Sequence, residues 1–202
     1  MKLDEIKNYI RNLPYQSRAE SFLKLFDNIY KRFGDKPIIM LETGTTRGKN
    51  INDINGGGGS TIVFGKWCEL TNSKLITVDI NSESINDCKN STKQFSNHIE
   101  YIEQDSVAYL RNFEKPVDFL YLDSMDTSDY NKNIIEEACR HQLKEIQNII
   151  FNLHENSLIL LDDIKNSEFK GGKSEYSIPF LLACGYKPIY YHPTCCQLLL
   201  GK

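Results

Sequence analysis

The chain has 202 residues, 40% of them hydrophobic and 25% charged, which is the composition of one ordinary globular domain with enough length to bury a full core. A formal net charge of −3, with no block of Lys or Arg, removes any global electrostatic reason to bind nucleic acid or an anionic membrane. No stretch is long and apolar enough to span a bilayer, and the charged start MKLDEIKNYIRNLPY lacks the apolar centre of a secretory signal.

Residues from about 3 to 33 carry apolar side chains at helical spacing: Ile6, Ile10 and Leu13, then Phe22, Leu23, Leu25, Phe26 and Tyr30, with a break near Pro14. After the turn GDKP comes IIML, a short apolar run of the kind a strand shows when both its faces are buried. The pattern then repeats. KLITVDI predicts a second strand, IEYIEQD a third, DFLYLD a fourth and SLILLDD a fifth, with helices at about 60–72, 82–95, 105–113 and 133–154. Phe64 and Trp67 on the first of these helices are expected in the core. SIPFLLACGY predicts a further helix, and KPIYYHP and CQLLLGK two last strands, too close together for a crossover and hence an antiparallel hairpin. Alternating strands and helices predict a single domain, 1–202, built on a doubly wound, mostly parallel seven-stranded α/β sheet ending in that hairpin. The N-terminal helical segment, 1–33, and residues 124–133 are the candidate lid material.

The six cysteines include no CxxC pair and no zinc-type spacing, which fits free thiols in a reducing, cytoplasmic setting. Cys195 and Cys196 are expected on opposite sides of the last strand.

In doubly wound sheets ligands bind at the carboxyl ends of the strands. Here every such end is acidic: Glu42, Asp79, Asp105 before Ser106, Asp123, and Asp162–Asp163. The loop after the first strand, LETGTTRGKNINDINGGGGST, excludes two common ligands. Its closest approach to a P-loop, GTTRGKN, is one residue short and has Asn50 in place of the magnesium-binding hydroxyl. Thr46 stands where a dinucleotide fingerprint needs its second glycine, which argues against NAD or FAD and an oxidoreductase.

Glu42-Thr43-Gly44-Thr45-Thr46-Arg47-Gly48 resembles the first motif of class I S-adenosylmethionine-dependent methyltransferases, acidic-x-Gly-x-Gly-x-Gly, with the middle glycine changed. The resemblance covers about residues 38–200 and implies a Rossmann-like methyltransferase fold. It implies that Glu42, Gly44, Thr45, Arg47 and Gly48 border the cofactor, that Asp79 with Ile80 takes the ribose, and that Asp105 and Ser106 meet the adenine. A carboxylate suits both tasks, since it accepts from paired hydroxyls or an exocyclic amine. Past the insertion 49–55, Gly59, Ser60 and Thr61 open the next helix, with Ser60 as its expected N-cap and the helix start favouring the cofactor's carboxylate. Arg47 is the other candidate for that carboxylate, or for a substrate anion.

The resemblance is closest to the divalent-metal-dependent O-methyltransferases. That branch implies Mg²⁺ held by Asp123, Asp162 and Asp163, with Asp126 as a candidate fourth ligand and Asp123 also next to the cofactor. Asp123, Asp126 and His141 are the catalytic candidates. His141 shares a helical face with Glu137 and Lys144, so it is either part of a charged surface stripe or a base reaching the acidic edge. The implied activity is methylation of an oxygen on a small molecule, with magnesium assistance left open. The altered glycine leaves a second reading, a cofactor-binding or interaction module without catalysis. Nucleic acid is not the expected acceptor, because no basic stripe and no Asn-Pro-Pro-Tyr-like motif follows the fourth strand. The acceptor's identity and the oligomeric state, a homodimer included, are not legible.

Overall fold

The computed structural model describes residues 1–14, 16–48, 59–127, 131–170 and 172–202. Seven strands form one sheet: β1 (Ile39–Thr43), β2 (Lys74–Asp79), β3 (Ile99–Glu103), β4 (Val117–Leu122), β5 (Leu153–Leu161), β6 (Lys187–His192) and β7 (Gln197–Gly201). Their order is β3-β2-β1-β4-β5-β7-β6. The first five pair in parallel, whereas β7 runs antiparallel to both β5 and β6. The doubly wound sheet and its terminal hairpin are thus as the sequence predicts. Order reverses between β1 and β4, which makes their carboxyl ends the switch point.

The helices are α1 (Lys2–Arg11), α2 (Ala19–Phe33), α3 (Ser60–Thr71), α4 (Ser82–Ser91), α5 (Ser106–Arg111), α6 (Lys132–Ile149) and α7 (Ser177–Ala183). Period-two alternation sends strand side chains to two cores. Met40, Leu75, Phe119, Tyr121, Leu158, Leu160 and Leu199 meet α1, α2 and α3 on one face. Leu41, Ile76, Leu120, Leu122, Ile159, Leu161, Leu198 and Leu200 meet α5, α6 and α7 on the other. The third helix, α3, is apolar nearly all round because it lies between the sheet and the N-terminal pair. Phe64 packs edge-on against Phe22 (5.6 Å) and Phe119 (5.2 Å), and Trp67 stands 5.1 Å from Phe26. The N-terminal segment therefore covers one face of the core with fully buried Ile6, Leu25, Phe26 and Ile29.

Some boundaries differ from the expectation. α6 stops at Ile149, and β5 begins at Leu153, four residues before SLILLDD. The polar HEN is part of the strand because Ser157 Oγ, donating to Val117 O (2.7 Å) and accepting from His154 N–H (2.8 Å), bridges a register irregularity against β4. Cys195 and Cys196 lie in the turn between β6 and β7, before the strand, with Cys196 at φ +55°. All six cysteines are free thiols, and no helix among the described residues is long and apolar enough to cross a membrane.

Candidate active site

A cleft of about 550 Å³ opens at the carboxyl ends of β1, β2, β4 and β5, within the size range of small-molecule sites, roughly 300–1,000 Å³. A narrower lobe of about 170 Å³ continues from it between β2, α5 and α6, sharing Gly44, Asp79, Ile80 and Ser124 with the cleft. Backbone geometry fixes the junction. Gly44 donates its N–H to Val78 O (2.8 Å), Asp123 donates to Thr43 O (2.8 Å), and a Cβ on Gly44 would stand 2.1 Å from Asp123 O. At φ +80° the position needs glycine for conformation as well as for space.

Asp79 is held by two backbone donors, Thr45 N–H to Oδ2 (3.2 Å) and Asn81 N–H to Oδ1 (2.8 Å), and each oxygen keeps a further lone pair. Beside it Ile80 is 71% exposed, a large apolar side chain left over the cleft. Thr45, Arg47 and Ser60 line the wall nearest α3. Gly48 is described as part of the loop, and the insertion from Lys49 with Gly56–Gly58 lies outside the described residues. In the inner lobe Asp105 accepts from Ala108 N–H (2.8 Å) as the N-cap of α5, and Ser106 Oγ bonds His141 Nε2 at 2.9 Å. His141 thus turns into the lobe, away from exposed Glu137 and Lys144. Its Nε2 is also 3.5 Å from the buried Glu145 carboxylate, whose proximity raises the imidazole pKa against the opposing effect of burial.

The start of α3 departs from expectation. The N-cap is Gly59, at φ +61°, and Ser60 is the first helical residue. Its hydroxyl is used elsewhere: Ser60 Oγ donates to Glu42 Oε1 (2.5 Å), while Thr61 and Thr77 donate to Oε2 (2.6 and 2.8 Å). Glu42 is fully buried under the first turn of α3 and does not line the cleft. Burial pushes its carboxyl up to about 7 even though the three hydroxyls pull the other way. Thr46, the residue in place of the motif's middle glycine, has a task of its own. Its Oγ1 accepts from Thr61 N–H (3.1 Å) and its N–H donates to Thr61 Oγ1 (2.9 Å), so it caps α3 in place of an N-cap side chain.

The ends of β4 and β5 hold the densest charge. Lys173 bonds Asp123 Oδ1 and stands 3.2 Å from Asp163 Oδ2. Arg18, at the start of α2, reaches Asp162 Oδ2 (2.5 Å), Asp123 Oδ2 (3.3 Å) and Tyr121 Oη (3.1 Å). Tyr121 Oη is 2.8 Å from Asp162 and accepts from Gln197 Nε2 (3.0 Å). Burial works to raise the Asp123 carboxyl, but Lys173 and Arg18 outweigh it and bring it down to about 2. Asp162 goes the opposite way, raised by burial and by the neighbouring Asp123 charge. Burial opposes charge on Lys173, yet Asp123 and Asp163 hold its pKa above the ordinary lysine range.

These contacts correct the expected magnesium site. Asp162 is 1% exposed with its outward oxygen on Arg18, and both oxygens of Asp123 are taken by cations. Among the described residues no three His, Cys, Asp or Glu side chains are grouped to hold a metal. As arranged, Asp123, Asp162 and Asp163 do not fit a divalent ion. Asp126 does not join them: Arg47 grips both its oxygens, at 2.7 and 3.0 Å, across the mouth of the cleft. Arg18, Lys173 and Thr46 were not among the sequence candidates. Only the pair Gly-Gly before Lys173 hinted at a tight approach there.

Comparison with known proteins bears on the fold. No curated protein matches the sequence. Among solved structures, SMU.1697c of Streptococcus mutans, in complex with S-adenosylhomocysteine, superposes with a TM-score of 0.59 at 12% identity, over 88% of this chain and 94% of its own. The Podospora anserina methyltransferase PaMTH1, also bound to S-adenosylhomocysteine, gives 0.57 at 14% identity over 99% and 87%. MycE of the mycinamycin biosynthetic pathway, in complex with Mg, S-adenosylhomocysteine and mycinamycin VI, gives 0.59 at 15%; it aligns with all of this chain, which spans 54% of MycE. At these identities the likeness is one of fold. A family model described as "Methyltransferase domain" matches residues 55–164, more than half of the sequence, and the chain belongs to that family.

Proposed function

We propose that this chain methylates an oxygen of a small polar molecule, using S-adenosylmethionine. The observation that carries the reading is the two-lobed cleft joined at Asp79 and Ile80. A carboxylate pre-oriented by two N–H groups suits a pair of ribose hydroxyls, the adjoining exposed Ile80 suits one face of a flat ring, and Asp105, Ser106 and His141 close a lobe of polar edges around it. At the opposite end, where Thr45 and Ser60 line the wall, the Arg47 guanidinium supplies donors for the amino-acid tail.

When bound, the cofactor supplies an electrophilic sulfonium methyl group. The protein's own share is placement. Asp123, Asp163 and Arg18 line the cleft on the side away from Asp79, so an acceptor hydroxyl can donate to Asp123 while Arg18 faces its oxygen. Asp123, brought down to about 2 by Lys173 and Arg18, is a weak base and orients the acceptor hydroxyl. Ile80 is the one large apolar side chain among the described residues that line the outer cleft, which favours a hydroxylated acceptor over an apolar one. Thr46 has a structural task at α3, so its presence in the motif does not favour a non-catalytic module.

Isothermal titration with S-adenosylhomocysteine tests the reading. Binding is expected in the wild type, and Asp79→Ala is expected to weaken it roughly ten- to a hundredfold, the scale of losing charge-assisted hydrogen bonds. No heat in the wild type, or unchanged affinity in a folded Asp79→Ala protein, would exclude it.

A further inference from the structure

The acids at the ends of β4 and β5 carry their own cations, and the backbone is shaped to deliver one of them. Gly172 lies at φ +75°, where an added Cβ would stand 1.9 Å from Asp163 O. The segment is pinned on both sides of this contact, by Cys139 Sγ to Gly172 O (3.1 Å) and Ser174 Oγ to Asp162 O (3.2 Å). Lys173 is thereby carried inward until 1% of it is exposed, with its ammonium between Asp123 and Asp163. Arg18 arrives from the opposite side to close on Asp162 and Asp123. Two unit positive charges among three carboxylates match the charge one divalent ion would bring to the same place. A metal entering between Asp123 and Asp163 would have to displace a buried ammonium or sit against it.

We infer that Lys173, with Arg18 beside it, takes the place of a divalent metal in this acid cluster, so that the site is set without one. Lys173 is then a positioning residue: it fixes Asp123 at the cleft wall while remaining outside the cleft itself. Its service to methyl transfer rests on the function proposed above; its exclusion of a metal does not.

Mn²⁺ is the probe, and its six-line solution spectrum, lost on binding, is read by electron paramagnetic resonance. The wild-type chain, residues 1–202, is expected to leave the spectrum unchanged. Lys173→Met is expected to take up one equivalent, and Lys173→Met combined with Asp163→Asn to lose that uptake. Stoichiometric uptake by the wild type that disappears in Asp163→Asn overturns the inference. So does a Lys173→Met protein with cooperative thermal unfolding that takes up no Mn²⁺, because the ammonium would then not be what keeps a cation out. Titration of the same samples with S-adenosylhomocysteine reports on the cofactor reading separately.

Discussion

The carboxyl of Glu42 is folded inward beneath α3, accepting from Ser60, Thr61 and Thr77, while Asp79, at the end of the neighbouring strand, faces the cleft. The burial of Glu42 has a pH consequence. With burial holding Glu42 near 7, its folded-state pKa lies above the unfolded value of 4.5. Such a group is neutral in the fold at acid pH, and the folded state loses stability as pH rises from about 4.5 through 7. At about 1.4 kcal/mol for each pH unit between the two values, the loss is of the order of 3 kcal/mol once Glu42 is ionised. Glu42→Gln removes the charge and keeps a hydrogen-bonding group in the same volume. Urea denaturation from pH 4.5 to 8 is expected to show the variant gaining on the wild type as pH rises, with the gap level above pH 8. A constant gap across that range would mean Glu42 stays charged in the fold at acid pH. Placement at the cleft was legible where it is local. Asp79 and Gly44 sit in contiguous motifs, whereas Lys173 reaches Asp123 across 50 positions and Arg18 reaches it across 105, so no spacing in the sequence joins them.

At the scale of elements, the active edge depends on β1 and β4 running side by side past the last strand residues. Asp123 N–H still bonds Thr43 O, so the Asp123 carbonyl pressed against Gly44 is part of the ladder and has little freedom to retreat. Gly44→Ala is therefore expected to cost about 3 kcal/mol or more, combining left-handed backbone strain of about 1 kcal/mol with a backbone clash, and to abolish S-adenosylhomocysteine binding. Gly34→Ala is the matched control: φ is +62° there and nothing lies within 4 Å of an added Cβ, so a loss of about 1 kcal/mol with binding intact is expected. Equal losses in the two variants, by urea denaturation, would show that conformation alone sets the requirement. Element identity was legible wherever apolar periodicity was strong, and failed where side-chain hydrogen bonds took its place. β5 extends through polar His154–Asn156 because Ser157 bridges to β4, and α3 has Gly59 as its N-cap because Thr46, from another segment, does the capping.

At the scale of the whole molecule, the order of strands and helices determined the doubly wound sheet, since four intervening parallel crossovers leave few other arrangements. What that order could not reveal is how the N-terminal helices relate to the rest. Read as sequence, residues 1–33 are an amphipathic pair ahead of the first strand, which suits a lid. In the fold, Phe22 and Phe26 interlock with Phe64 and Trp67, and in their absence α3 would turn those two aromatic side chains to water. Full burial of each large apolar side chain contributes roughly 1.5–3 kcal/mol, so losing Ile6, Ile10, Phe22, Leu25, Phe26 and Ile29 together, roughly 9–18 kcal/mol, is as large as the 5–15 kcal/mol by which whole domains are stable. Deleting residues 1–33 is therefore expected to give a chain without cooperative thermal unfolding that binds a hydrophobic dye, rather than a folded protein with an open cleft. Arg18→Gln separates the two contributions of this segment: it keeps the apolar seam and removes only the charge on Asp123 and Asp162. A deletion product that melts cooperatively and binds S-adenosylhomocysteine would make the segment a detachable cover, and would assign Arg18 to the cover and not to the core.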